Sequence, residues 1–320
     1  MSAADEPATL GDINEDGLLA GIFPGLPTSD RVLIGPGDDA ALLQVRTGAT
    51  LATTDTMVLN RDWRDEWSTG YDVGHKLVTQ NVADVAAMGG RCTGLLVTLV
   101  ADAATSLTWV RAFNDGLCQA AVDAGTAVLG GDLSSAPVGV RMVSITALGE
   151  FEAGVSPVRR SGARVGDVVA VSGGLGRAAA GLLLLQRGRE QDAPHLVDFQ
   201  RRPVTDYAQG PAAARSGATA MLDISDGLVR DAGRIAAASG VLLAIDDAVL
   251  RSDVDDLAPY VGDQARQCVL AGGEEHTLLA TFPSQSVPAG WRVIGSVEAG
   301  SGVTVGGEQH SGGGWDHFSA

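Results

Sequence analysis

Short apolar runs bounded by glycine alternate along this chain with segments whose apolar residues recur at helical spacing. In the first half, residues 31–34, 51–55, 95–100, 127–129 and 140–149 read as strands. Residues 12–23 read as a helix stopped by Pro24-Gly25. A second helix is opened by Ser68-Thr69-Gly-Tyr-Asp72 and runs to Met88, where Gly89-Gly90 ends it; a third spans 106–124. On the second helix Leu77, Asn81, Asp84 and Met88 share one side and border the stripe Val78, Val82, Val85, so two polar groups edge an apolar face. Residues 151–165, with three arginines, glycine and proline, read as a connection. Beyond it come strands at 167–172, 219–223, 241–245, 277–282 and 291–297 and helices at 178–186 and 227–238, with a polar loop region before Cys268. These expectations give an α/β half and an α+β half, divided as residues 1–150 and 151–320, after a disordered tail of about ten residues.

A length of 320 residues accommodates two such domains. The formal net charge of -17 argues against a nucleic-acid backbone or an anionic membrane as the main partner, and Lys76 is the only lysine. An anionic substrate then calls for metal or local arginine. Cys92, Cys118 and Cys268 are odd in number and form no C-x-x-C pair, which fits a reducing cytoplasm and core positions. The first residues lack the basic and apolar regions of a signal peptide, and no stretch approaches a membrane-spanning length, so the expected location is cytoplasmic.

The chemistry-bearing feature is a set of aspartates placed just after apolar runs: Asp38-Asp39, Asp55, Asp132, and Asp223 with Asp226. Strand ends bring such residues to one edge of a sheet. Gathered carboxylates repel one another unless a cation neutralises them, and hard oxygen ligands favour magnesium or calcium. Each alone is equally a turn or helix cap. Gly173-Gly-Leu-Gly-Arg177 is a glycine-rich strand-to-helix turn that matches neither common phosphate-binding pattern and is a weak phosphate signal. The five histidines have no metal-site spacing and read as surface or core residues.

Read in order, the acidic motifs resemble those of the thiamine-monophosphate kinases, in the superfamily of aminoimidazole ribonucleotide synthetase. The matching segments are Ile34-Gly-Pro-Gly-Asp-Asp-Ala40, Thr53-Thr-Asp55, Gln80-Asn-Val-Ala-Asp-Val-Ala-Ala-Met-Gly89, Gly130-Gly-Asp132, Arg160-Ser-Gly-Ala-Arg-Val-Gly-Asp167, Asp223-Ile-Ser-Asp-Gly-Leu228, Gly272-Gly-Glu274 and Gly314-Trp-Asp-His-Phe318. The resemblance implies a two-domain fold of that superfamily, an N-terminal ATP- and magnesium-binding domain whose sheet forms a barrel across a homodimer, and ATP-dependent phosphorylation of thiamine monophosphate to thiamine diphosphate with several Mg²⁺ ions. Carried over by position, the magnesium set is Asp39, Thr54, Asp55, Asp84, Asp132, Asp223 and Asp226, of which Asp223 and Asp226 are the catalytic pair. Gly131, Asp132, Arg160 and Ser225 fall at nucleotide positions, and Glu274 and Trp315 at the thiamine pocket. Three departures stand out: Asp62-Trp63 where the family has His-Phe, Glu275 where it has Asp, and Arg234 where His is common. A carboxylate at 62 is compatible with a kinase only if it faces the cationic heterocycle, so Asp62 is expected in the substrate pocket with Trp63 stacking nearby. Another ATP-dependent enzyme of the superfamily, or a non-catalytic nucleotide- or cation-binding protein, are the alternatives.

Overall fold

A computed structural model describes residues 9–37 and 40–310. Asp39 and Trp315, the expected tail before Thr9, and His317 lie outside the described residues. The chain divides into two compact units, residues 1–85 with 92–150 and residues 86–91 with 151–320.

The first unit holds α1 (Glu15–Ile22), β1 (Val32–Ile34), β2 (Leu42–Leu43), β3 (Leu51–Val58), most of α2 (Gly70–Ala87), β4 (Arg91–Ala101), α3 (Leu107–Asp123), β5 (Val128–Ser135) and β6 (Arg141–Glu150). Strands β1 and β2 form a small hairpin; the others make a four-stranded sheet in the order β3-β6-β4-β5. Strands β4 and β5 are parallel, so the connection between them must cross over, and α3 supplies it. The core forms where Leu95, Val128, Val143 and Ile145 of the sheet are buried together with Leu77, Val78 and Val82 of α2 and Phe113 and Leu117 of α3. The start of α2 is set by Thr69 and Asp72: the Thr69 N–H donates to the Asp72 carboxylate at 2.9 Å and the Asp72 N–H to the Thr69 hydroxyl at 3.3 Å. That reciprocal bonding is a capping box, satisfying donors a bare helix end leaves open.

The second unit contains β7 (Val168–Val171), α4 (Arg177–Gln186), α5 (Pro194–Arg201), α6 (Gln209–Arg215), β8 (Ala220–Asp223), α7 (Leu228–Ser239), β9 (Leu242–Ile245), α8 (Asp247–Val261), α9 (Ala265–Ala271), β10 (Leu278–Phe282), β11 (Arg292–Glu298), β12 (Gly302–Val305) and β13 (Glu308–His310). Its seven-stranded sheet runs β13-β12-β9-β11-β7-β10-β8. Val169, Ala170, Leu243, Leu279, Phe282 and Ile294 are fully buried along it.

The polar loop expected before Cys268 is instead two helices, α8 and α9. Leu250, Leu257 and Val261 recur at helical spacing and are buried, but three intervening aspartates and Pro259 mask the period. Asp246 starts the helix by accepting the Ala248 N–H at 2.9 Å. No helix among the described residues is long and apolar enough to cross a membrane.

Candidate active site

In the first unit, side-chain alternation along β3 separates the candidate ligands. Thr53, Asp55 and Met57 point to the more buried face, while Ala52, Thr54 and Thr56 are exposed on the other. On the first face the Thr53 hydroxyl donates to Asp84 at 2.7 Å. The Asp55 N–H donates to the Asn81 side-chain oxygen at 3.1 Å, and the Asn81 amide in turn donates to the Leu77 carbonyl at 2.9 Å. The two polar residues that edge α2 therefore hold this part of β3. Thr54 lies on the opposite face, its hydroxyl donating to the Ile145 carbonyl at 2.9 Å, so its side chain does not share a face with Asp55.

Asp132 sits in the middle of β5, exposed, with the Ser134 hydroxyl donating to it at 2.6 Å. The glycine before it is required sterically: a Cβ on Gly131 would lie 1.8 Å from the Val97 carbonyl oxygen. Gly131 and Asp132 border a cavity of about 890 Å³ whose walls include Phe23, Pro36, Phe113 and Leu129. That volume falls in the range of small-molecule sites.

Asp62 is half-buried and accepts the Val58 N–H at 2.7 Å, capping its own turn. Trp63, expected to stack beside the heterocycle, packs on rings of the chain itself. It is buried, with its ring stacked on Trp109 at 6.2 Å, and Trp109 stacks in turn on Phe113 at 5.6 Å. Burying an aromatic of this size within a sandwich of rings is a core role.

In the second unit, Asp223 closes β8 and is 5% exposed, with His276 Nδ1 at 3.1 Å from its Oδ2. The following turn is pinned by main-chain bonds to the segment after α9: Glu274 N–H to the Ser225 carbonyl at 2.8 Å and His276 N–H to the Ile224 carbonyl at 2.9 Å. Gly227 has φ of 119° and its missing Cβ would sit 2.7 Å from Ala271, so this position admits only glycine. Glu274 and His276 hold left-handed backbone, φ 61° and 54°, a strained geometry that concentrates at functional sites.

Asp226 is half-buried and is contacted through Oδ2 by Arg234, with Arg230 at 3.8 Å. Arg234 also pairs with Asp231, which is fully buried. Burial raises the Asp231 carboxyl to about 6, opposed by the Asp226 N–H and Arg234 and reinforced by the nearby charges of Asp223 and Asp226. Arg160 is exposed; its carbonyl accepts the Ser239 hydroxyl, which also receives the Gly162 and Ala163 N–H groups at 3.1 and 3.2 Å. Helix α7 thus braces the Asp226 turn at one end and the Arg160 loop at the other.

Motif reading missed His276, Asp231 and Arg234 as parts of this network. No isolated pattern marks His276. An Asp five residues after Asp226 and an Arg three further on, all near the start of one helix, were the available signal for the other two.

The glycine-rich turn before α4 is not a phosphate cradle. Glu275, completely buried, accepts the Ala178 N–H at 2.8 Å and pairs with Arg177 at 3.2 Å, while Asp253 takes the Leu175 N–H at 3.2 Å. A carboxylate of the chain occupies the place the sequence left open for an anion. Among the described residues, no group of three or more His, Cys, Asp or Glu side chains is arranged to hold a metal ion.

Two family models match the chain. AIR synthase related protein, N-terminal domain, covers residues 37–151, and AIR synthase related protein, C-terminal domain, covers residues 164–308. These define the class, a two-domain α/β fold. Within it, the thiamine-monophosphate kinase of Mycobacterium tuberculosis is 43% identical over 326 residues, spanning 99% of this chain and 95% of that protein. The crystal structure of thiamine-monophosphate kinase from Stenotrophomonas maltophilia K279a superimposes with a TM-score of 0.79 at 32% identity, over 97% of this chain and 99% of that one. AaThiL, solved in complex with AMPPCP and TMP, gives 0.79 at 31% identity over 95% of each chain. The chain belongs to the thiamine-monophosphate kinase family and is an enzyme.

Proposed function

We propose that this enzyme transfers the γ-phosphoryl group of ATP directly, in line, to the phosphate of thiamine monophosphate, giving thiamine diphosphate. The observation that carries the reading is the match over 95% of the chain to AaThiL, a protein solved with AMPPCP and TMP. Residues 1–150 would supply the nucleotide and magnesium site and the dimer contact, the sheet with its β3 and β5 edges closing a barrel with a second copy. Within residues 151–320, Arg160 and Ser225 would be the nucleotide-contacting residues and Glu274 the thiamine-contacting one.

The donor set fits magnesium. Asp55, Asp84, Asp132, Asp223 and Asp226 offer hard oxygens, and the mutual repulsion that helps to raise Asp231 marks an excess of negative charge beside Asp226. As is usual for magnesium at phosphate sites, each ion would take one or two protein oxygens and complete its shell from phosphate and water. Bound there, magnesium would neutralise phosphate charge that develops as the phosphoryl group moves.

The chain itself binds and orients. A general base is not needed, because a phosphate monoester with a second pKa of about 6 is already anionic near neutral pH. His276, whose Nδ1 lies 3.1 Å from Asp223 Oδ2, would orient that carboxylate. Incubation with ATP, thiamine monophosphate and increasing Mg²⁺ should yield thiamine diphosphate, with a rate that continues to rise after the nucleotide is saturated with metal. ATP binding without thiamine diphosphate would instead identify a non-catalytic nucleotide-binding protein.

Asp62 gives a cleaner test of acceptor recognition than the sequence alone allowed. Asparagine keeps an oxygen for the Val58 N–H and removes only the charge. If the carboxylate serves the cationic heterocycle, Asp62→Asn should raise KM for thiamine monophosphate by roughly tenfold, the worth of one hydrogen bond to a charged group, and leave kcat and KM for ATP nearly unchanged. An unaltered KM would confine Asp62 to its turn.

A further inference from the structure

The turn that carries Asp226 is held by a closed ring of contacts made within the chain. Asp231 Oδ2 accepts the N–H of Asp226 at 2.9 Å and of Gly227 at 3.0 Å. Asp231 Oδ1 receives Arg234 Nη1, and Arg234 Nη2 returns to Asp226 Oδ2. The main chain of Asp226 is thereby held by Asp231 and its carboxylate by Arg234, and the two holders are themselves paired. Arg230 approaches that same Oδ2, so both guanidinium contacts fall on one of the two Asp226 oxygens. Opening a helix would not call for this arrangement. A serine or asparagine just before the helix serves that purpose at little cost, whereas a fully buried carboxylate pays several kcal/mol of desolvation that only good pairing recovers.

We infer that Asp231 and Arg234 are positioning residues: they lock the Ser225-Asp226-Gly227 turn and aim one oxygen of Asp226 at the metal-bound phosphates. The inference rests on the kinase reading of Asp226. Arg234 reaches the ring from α7 with its side chain one-third exposed, so its replacement opens no buried cavity but leaves the wholly enclosed Asp231 without its guanidinium, which is why melting is followed beside binding. The ring also predicts coupling. Each member touches Asp226 directly, Asp231 through the main-chain N–H and Arg234 through Oδ2, and each also holds the other, so the double variant should lose less than the sum of the two single losses.

The test is Mn²⁺ binding to the full chain with ADP, followed by electron paramagnetic resonance, for the wild type, Asp231→Asn, Arg234→Met and the double variant, together with kcat, KM and thermal melting. The expected result is an Mn²⁺ dissociation constant raised by about tenfold or more in both single variants, as for other residues that orient metal ligands. kcat should fall by about 10- to 100-fold, with KM for thiamine monophosphate changed by less than about twofold. A folded Arg234→Met protein with wild-type Mn²⁺ affinity and kcat would overturn the inference, even if Asp231→Asn proves too unstable to purify. Additive losses in the double variant would also overturn it, by showing two separate structural roles. A wild-type chain that binds Mn²⁺ and ADP yet makes no thiamine diphosphate would refute the kinase reading instead, and the Mn²⁺ comparison would still be readable.

Discussion

Asp226→Asn is expected to lower kcat for thiamine diphosphate formation by at least about 10²-fold, and Asp223→Asn by a similar factor, because electrostatic stabilisation of a transferring phosphoryl group is commonly the largest catalytic term. Both substitutions are nearly isosteric, so they remove charge rather than shape. At Asp226 the effect on folding should be small: Arg234 keeps its pairing with Asp231, and the turn keeps the two N–H bonds to the Asp231 carboxylate. At Asp223 the neighbour is His276, whose ring remains able to bond an asparagine amide oxygen. A loss in kcat without a matching loss in melting temperature therefore assigns the carboxylates to chemistry. Near-normal turnover in either variant would reduce that aspartate to the cap of a turn, the alternative its position always permitted.

Much of this arrangement was legible in the sequence, for reasons that differ by region. Strand β8 and its aspartates were visible because the short apolar run Ala220-Met-Leu222 that ends at Asp223 has no competing helical period. The capping residues of α2 announced themselves through the Thr-x-x-Asp spacing, and Asn81 and Asp84 by falling on the edge of its apolar stripe. What stayed hidden was tertiary. Neither period nor motif reveals that Trp63 closes a ring stack with Trp109, nor that Thr54 and Asp55, adjacent in sequence, belong to opposite faces of one strand once its pleat is fixed. Helices α5 and α6 were missed because their few apolar residues are interrupted by charges and proline, so packing rather than pattern decides them. Glu275 was visible only as an acidic neighbour of Glu274. Its partner lies 98 residues away in sequence, a contact no local spacing encodes.

That long-range contact carries the largest expected effect on stability. Glu275 is completely buried, and burial pushes its carboxyl up against the pull of Arg177 and the Ala178 N–H. Arg177 also lies 3.9 Å from the ring centre of Phe199, so one side chain neutralises the acid and packs on an aromatic face. Arg177→Met should then cost about 3–5 kcal/mol, the usual penalty for stranding one member of a buried ion pair. In a unit of this size each kcal/mol shifts the melting temperature by about 2–4 °C, so a fall of roughly 6–20 °C is expected near pH 8. The sign of the pH dependence follows from the raised carboxyl. Unfolded glutamate titrates near about 4.3, whereas the buried one holds its proton to higher pH. Its contribution is therefore most favourable below the unfolded value and is lost as pH rises through the folded value, and without Arg177 that loss grows. Arg177→Met should accordingly lie closer to the wild type at pH 5 than at pH 8. The double variant Arg177→Met, Glu275→Leu should recover much of the stability and flatten the pH profile, since no buried charge remains to be neutralised. Equal melting temperatures for Arg177→Met and wild type at pH 8 would show that Glu275 is neutral in the folded protein and that the pair contributes little.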